Sequence, residues 1–245
     1  MVCGRYFIKF VYDEGVNILM KNERHVLVVF PHPDDESYCV AGTILAYTEQ
    51  KVPLTYVCLT LGEMGRAMGN PPFATRESLY TIREKELKRV TNILGIEDLR
   101  MMGYRDKTLE FEEPGKLRSL IQNCIEELDP SVVISFYPGY AVHPDHDATG
   151  EAVVEALANI SESKRPAFYA VAFSKNHEDE IGPPDFKNEV KKYVPKKLEA
   201  LRAHASQFTT KVDELEREYE DGISGTVEWL EREPFWIYSF KDKNM

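Results

Sequence analysis

Two short stretches carry most of the chemistry available to this chain. The first, Pro31-His32-Pro33-Asp34-Asp35-Glu36, sets one imidazole and three carboxylates within five residues. The second, Tyr140-Ala141-Val142-His143-Pro144-Asp145-His146-Asp147, adds two imidazoles and two carboxylates more than a hundred residues later. Zinc in a hydrolytic site takes three nitrogen or oxygen ligands from the protein and keeps a position for water, and His32, Asp35 and His146 can supply that set. Asp34 then stands beside the metal as a carboxylate able to accept a proton from water. His143 can face a reacting carbonyl and, when protonated, stabilise its oxyanion, while Asp145 can orient His143 or a metal-bound imidazole. Either stretch alone also reads as helix capping, because Asp and Ser accept hydrogen bonds from first-turn amides. Both together at strand ends favour chemistry.

The elements around them must bring the two stretches together. The apolar run from Val26 precedes the first, and Val132–Phe136 precedes the second. Along the chain, β-rich runs at 26–31, 54–60, 99–102, 132–136 and 168–173 alternate with amphipathic stretches at 37–50, 76–94, 114–128, 147–159 and 195–205. This alternation predicts an α/β fold: a three-layer, Rossmann-like, mostly parallel sheet flanked by helices. In such a sheet the loops at the carboxyl ends of the strands form the ligand crevice, so both clusters are expected at one crevice. Residues 213–221 read as an exposed acidic helix and 233–238 as a terminal strand that docks aromatic side chains. Residues 1–23 show no pattern joining them to the rest and are expected to be an extension, with 24–245 forming a single domain.

The formal net charge of -11 argues against nucleic acid or an anionic membrane as a partner, since those surfaces need a basic field. No apolar run approaches the roughly 20 residues of a membrane span, and the opening residues lack a signal-peptide pattern. The four cysteines form no CxxC pair, which points away from a zinc knuckle or disulfide framework and toward a reducing cytoplasm. Cys39 and Cys58 are expected to be buried structural thiols.

Taken in order, several motifs carry a resemblance. Pro31-His32-Pro33-Asp34-Asp35-Glu36 is followed by Thr60-Leu61-Gly62-Glu63-Met64-Gly65, Arg83-Glu84-Lys85-Glu86-Leu87, Gly103-Tyr104-Arg105-Asp106, His143-Pro144-Asp145-His146 and His204-Ala205-Ser206-Gln207. Over Arg24 to Gln207 this set resembles the LmbE-like/PIG-L superfamily of zinc-dependent N-acetylglucosamine deacetylases. The resemblance implies one zinc ion (Zn2+) per chain on His32, Asp35 and His146, with other divalent metals also suited to His/Asp ligands. It implies Asp34 as general base and His143 at the oxyanion. It also places Arg83 and Asp106 at positions that hold sugar hydroxyls, Glu63 at a family acid, and Tyr140 where relatives carry a tyrosine, one residue further from the His-Pro-Asp-His cluster.

Within the superfamily the chain is most similar to the bacillithiol-biosynthesis deacetylases, which act on N-acetylglucosaminyl malate. Arg66, just after the Gly-Glu-Met-Gly turn, can pair bidentately with a malate carboxylate. A small-molecule amino-sugar substrate is thus implied. Relatives often form homo-oligomers, and the aromatic tail 235–240 can pack within the domain or against a neighbour, core packing being the expected use. The competing readings are an amidase of mercapturic thiol conjugates, a chitooligosaccharide deacetylase, and a catalytically silent metal-binding protein.

Overall fold

The computed structural model describes residues 23–240; the expected extension over 1–23 lies, but for Glu23, outside them. Seven strands form the sheet: β1 (Val26–Phe30), β2 (Leu54–Thr60), β3 (Asp98–Tyr104), β4 (Val132–Phe136), β5 (Ala167–Val171), β6 (Phe186–Glu189) and β7 (Arg232–Ile237). Their order is β3-β2-β1-β4-β5-β7-β6. The first five run parallel, and β7 and β6 extend the edge antiparallel. Every residue of β1, β2 and β4 is buried, as expected of parallel strands covered on both faces, and this is why they read as unbroken apolar runs.

Alternate side chains feed two cores. Val26, Val28 and Phe30 pack with residues of α2 (Ala41–Glu49), α3 (Arg76–Leu94) and α7 (Val194–Ala203). Leu27 and Val29 pack on the other face with α4 (Lys116–Leu128) and α5 (Pro144–Ala158). Three layers result, as the alternation predicts. A smaller cluster joins α7 to α8 (Ala205–Glu220) and α9 (Ser224–Glu231). Among the described residues no helix is long and apolar enough to cross a membrane.

Four elements depart from those expected. The helix expected over 37–50 is two helices, α1 (Asp35–Cys39) and α2, with Val40 out of helical geometry between them at φ -142° and ψ 19°. The second start is stabilised from afar: the Glu233 carboxylate accepts the N–H groups of Gly42 and Thr43 at 2.9 and 2.8 Å, a negative charge on a helix N-terminus. Glu233 in turn meets Lys197 at 3.0 Å, both nearly excluded from water. Helix α5 starts at Pro144 rather than 147, because His143 acts as its N-cap, its Nδ1 accepting from the Asp145 N–H at 3.1 Å, and proline suits the first turn. The expected 213–221 helix is the end of the longer α8, whose Phe208, Val212, Leu215 and Tyr219 form a helical stripe onto α7 and α9. Lastly, β6 was not expected, and its sequence Phe-Lys-Asn-Glu carries little strand signal.

The terminal strand behaves as expected, with Phe235 and Trp236 in the core. Cys58 is buried; Cys39 is half-buried and packs against the core.

Candidate metal centre and active site

The strand order reverses between β1 and β4, which lie side by side. A crevice opens at such a switch point beyond the carboxyl ends of the strands. His32–Asp35 leaves β1 there, and the first turn of α5 carries Asp145 and His146 there after β4. Helix α5 approaches closely because residue 150 is glycine: a Cβ at that position would stand 2.5 Å from the Phe136 carbonyl oxygen.

Three side chains converge, Asp35 through both of its oxygens. His32 Nδ1 lies 3.2 Å from His146 Nε2, His146 Nε2 lies 3.4 Å from Asp35 Oδ1, and His32 Nδ1 lies 3.5 Å from Asp35 Oδ2. Ligands about 2.1 Å from a tetrahedral ion stand about 3.4 Å apart, the scale of these contacts, in which each imidazole faces a different oxygen of Asp35. The remaining ring nitrogens are occupied as a metal site requires. His146 Nδ1 meets the Ala141 carbonyl at 2.9 Å, and His32 Nε2 faces Asp145 Oδ2 and Asp106 Oδ1, each at 3.2 Å. Those contacts turn both lone pairs toward the common point. Asp35 is buried, which alone would raise its pKa; His146 and His32 outweigh this and hold it well below the usual carboxylate range. His32 is likewise buried, yet Asp106, Asp145 and Asp35 carry its pKa well above the ordinary value.

Asp34 sits beside this triad in a strained backbone, φ 119° and ψ -25°. A non-glycine residue there persists only when its surroundings over-determine it. Two buried groups do so. Arg83 donates to Asp34 Oδ2 at 2.9 Å, to the Gly62 carbonyl at 2.8 Å and to the Pro33 carbonyl. Glu36 accepts the Asp34 N–H at 3.1 Å through Oε2, which also takes the Tyr56 hydroxyl at 2.9 Å. Its Oε1 meets His204 Nε2 at 2.8 Å. Burial raises the Asp34 carboxyl to about 6, against the opposing pull of Arg83. A carboxylate in that range is suited to taking and returning a proton near neutral pH.

His143 stands edge-on to His32, ring centroids 4.9 Å apart. Because its Nδ1 accepts the Asp145 N–H, a neutral ring carries its proton on Nε2. Burial, then the neighbouring His32 and His146, lower its pKa. Asp145, fully buried, serves His32 and not His143: its carboxylate accepts from Lys107 N at 2.7 Å and Leu109 N at 3.1 Å besides facing His32.

A cavity of about 510 Å³ opens over these groups, lined by His32, Asp34, Asp35, His143 and His146 and rimmed by Met64, Arg66 and Lys107. A second cleft of about 440 Å³ between α4 and α5 is lined by carboxylates such as Glu113 and Glu151 and holds no imidazole.

Residues 27–157 match the family model described as PIG-L, GlcNAc-PI de-N-acetylase. Over 225 residues, 92% of this chain and the whole of the relative, the sequence is 85% identical to a probable N-acetyl-α-D-glucosaminyl L-malate deacetylase 2 of Bacillus anthracis. The chain belongs to the PIG-L family of deacetylases. Another relative, the Bacillus subtilis protein of the same printed name, is 44% identical over 90% of this chain and 100% of its own length. The fold also matches a solved N,N'-diacetylchitobiose deacetylase from Pyrococcus horikoshii, with TM-score 0.69, 23% identity, and 91% and 88% of the two chains covered.

Against the PIG-L frame, the remaining candidate residues divide. Arg66 lies exposed on the cavity lining. Arg83 and Asp106 reach the cavity but are buried and already engaged, Arg83 with the Asp34 loop and Asp106 with His32 and the Met64 N–H at 2.8 Å. Tyr140 is not brought in: its hydroxyl donates to Glu180 at 3.1 Å and it does not line the cavity. The chain between it and His143 turns through Gly139 and Val142 in left-handed backbone. Glu63 joins two loops, its Oε1 accepting the Asp106 N–H at 3.0 Å. Glu36, His204 and Lys107 were missed as site residues. The first two lay inside quoted motifs; Lys107 had no signal beyond adjoining Asp106.

Proposed function

We propose that the chain removes the acetyl group from N-acetyl-α-D-glucosaminyl L-malate, in the bacillithiol-forming route of a bacterial cytoplasm, with one zinc ion held by His32, Asp35 and His146. The observation that supports the metal reading is the convergence of His32 Nδ1, His146 Nε2 and the Asp35 carboxylate, with contacts of 3.2 to 3.5 Å. The malate reading rests on the 85% identity to the Bacillus anthracis relative. When bound, the zinc supplies a water of lowered pKa and polarises the acetamide carbonyl.

The chain's own residues do the rest. Asp34, held by Arg83 and Glu36, accepts a proton from the attacking water. His143 donates its Nε2–H to the oxygen that gains charge as the carbonyl becomes tetrahedral. The carbon–nitrogen bond then breaks, the glucosamine nitrogen leaves with the proton that Asp34 took, and acetate is the second product. Asp106 and Asp145 keep His32 aimed, and Arg66 meets a malate carboxylate.

The test couples metal analysis to acetate release from the malate conjugate and from diacetylchitobiose. The expected result is one metal per chain and preference for the malate conjugate. Asp34→Asn is expected to keep the metal and to lose about 10²- to 10⁴-fold in turnover. Full activity in metal-stripped protein, or in Asp34→Asn, would refute the scheme.

A further inference from the structure

The charged residues lining the active-site cavity separate into spent and unspent groups. Asp34 is spent on Arg83, Asp35 on His32 and His146, and Asp106 on His32. Only Arg66 and Lys107 remain, both exposed, and neither side chain has a hydrogen-bond or ion-pair partner among the described residues. In a chain of net charge -11, two unneutralised cations lining one cavity form a local field opposite to that of the whole molecule.

Lys107 is also held in place at a conformational cost. Its φ is +65°, a left-handed geometry that lysine adopts only under constraint. The constraint is Asp145. Its Oδ2 accepts the Lys107 N–H at 2.7 Å and lies 3.2 Å from His32 Nε2, while its Oδ1 takes the Leu109 N–H at 3.1 Å. One buried carboxylate thereby fixes both an imidazole of the metal triad and the backbone that carries Lys107. The lysine stands in register with the reacting centre instead of on a free loop.

We propose that Lys107, together with Arg66, forms a cationic clamp at the cavity wall that binds the carboxylates of an anionic aglycone, making Lys107 a specificity-determining residue. This deepens the malate reading and rests on it. Two cations suit a dicarboxylate, and a neutral sugar or inositol would leave both without a partner, so discrimination comes from charge and not from shape.

The experiment measures kcat/KM for N-acetylglucosaminyl malate and for methyl N-acetyl-α-D-glucosaminide, and reads their ratio. Lys107→Gly keeps the left-handed backbone at no steric cost and removes the ammonium; the ratio is expected to fall about tenfold or more. Lys107→Arg should keep it within about threefold, since the charge remains. In the unmodified enzyme the ratio should fall as salt is raised through the range in which exposed charges are screened. This series also carries the test should the glycine variant not fold. An unchanged ratio in Lys107→Gly at full metal content, or a salt-independent ratio in the unmodified enzyme, would overturn the clamp. An unmodified enzyme that prefers the methyl glycoside removes the malate reading together with the clamp.

Discussion

Arg83 offers the sharpest test of how the site works. The family resemblance places it on the sugar, whereas its guanidinium is buried against Asp34 Oδ2 at 2.9 Å. If its main task is electrostatic, replacing it should act through the Asp34 proton. An arginine in contact with a carboxylate depresses the pKa by roughly one to three units, about 1.4 to 4 kcal/mol of preference for the ionised form. Asp34, pushed to about 6 with Arg83 present, loses that support in Arg83→Met. The base must be ionised to accept a proton, so activity falls as pH drops through its pKa. The acid limb of kcat/KM should therefore move to higher pH by roughly one to three units. At pH 7 this amounts to about a two- to hundredfold loss, recovered in part at alkaline pH. A residual pH-independent loss is expected too, because Arg83 also holds the Gly62 and Pro33 carbonyls. Arg83→Lys should leave the limb nearly in place, since it keeps the charge and loses only the fork. The assay is acetate release across the pH range with metal content checked at each point. A raised KM with an unmoved acid limb in Arg83→Met would refute the electrostatic assignment and return Arg83 to the sugar.

Other residues give shorter tests. Tyr140→Phe should change kcat and KM less than about twofold, because the hydroxyl meets Glu180 outside the cavity and exposed contacts of this kind contribute little; a loss of tenfold or more in acetate release would restore it to the site. Gly150→Ala places a Cβ 2.5 Å from the Phe136 carbonyl oxygen, and should cost about 1–3 kcal/mol of stability while weakening metal affinity, read by thermal unfolding and metal titration. Lys197→Met leaves Glu233 buried without its cation, a change worth about 3–5 kcal/mol. It should lower Tm by about 6–20 °C for a chain of this size, and an unchanged melting curve would show the pair to be dispensable.

Much of this protein was legible in one dimension. Buried parallel strands advertise themselves, because a strand covered on both faces has to be apolar at every position, and β1, β2 and β4 were readable for that reason. Charge clustered directly after such strands marks the crevice, so His32, Asp35 and His146 could be proposed as one ligand set, and the fold brings their side chains within 3.5 Å of one another. Local signals failed where the deciding partner is distant in the chain. The break at Val40 depends on Glu233, almost two hundred residues away. The assignment of Asp145 to His32 rather than to its neighbour His143 depends on the β1–β4 pairing. Arg83 and His204 reach the Asp34 loop only because α3 and the α7–α8 corner pack over the same end of the sheet.

By itself, then, the sequence determined which chemistry is available and which fold class presents it, since residue type and hydrophobic period are local properties. Which imidazole a carboxylate orients, which arginine is spent on Asp34, and which lysine is left free on the cavity lining were decided only by tertiary structure. Hydrogen bonds and charge pairs act over a few ångströms in space, and strand pairing and helix packing bring together residues that stand far apart along the chain.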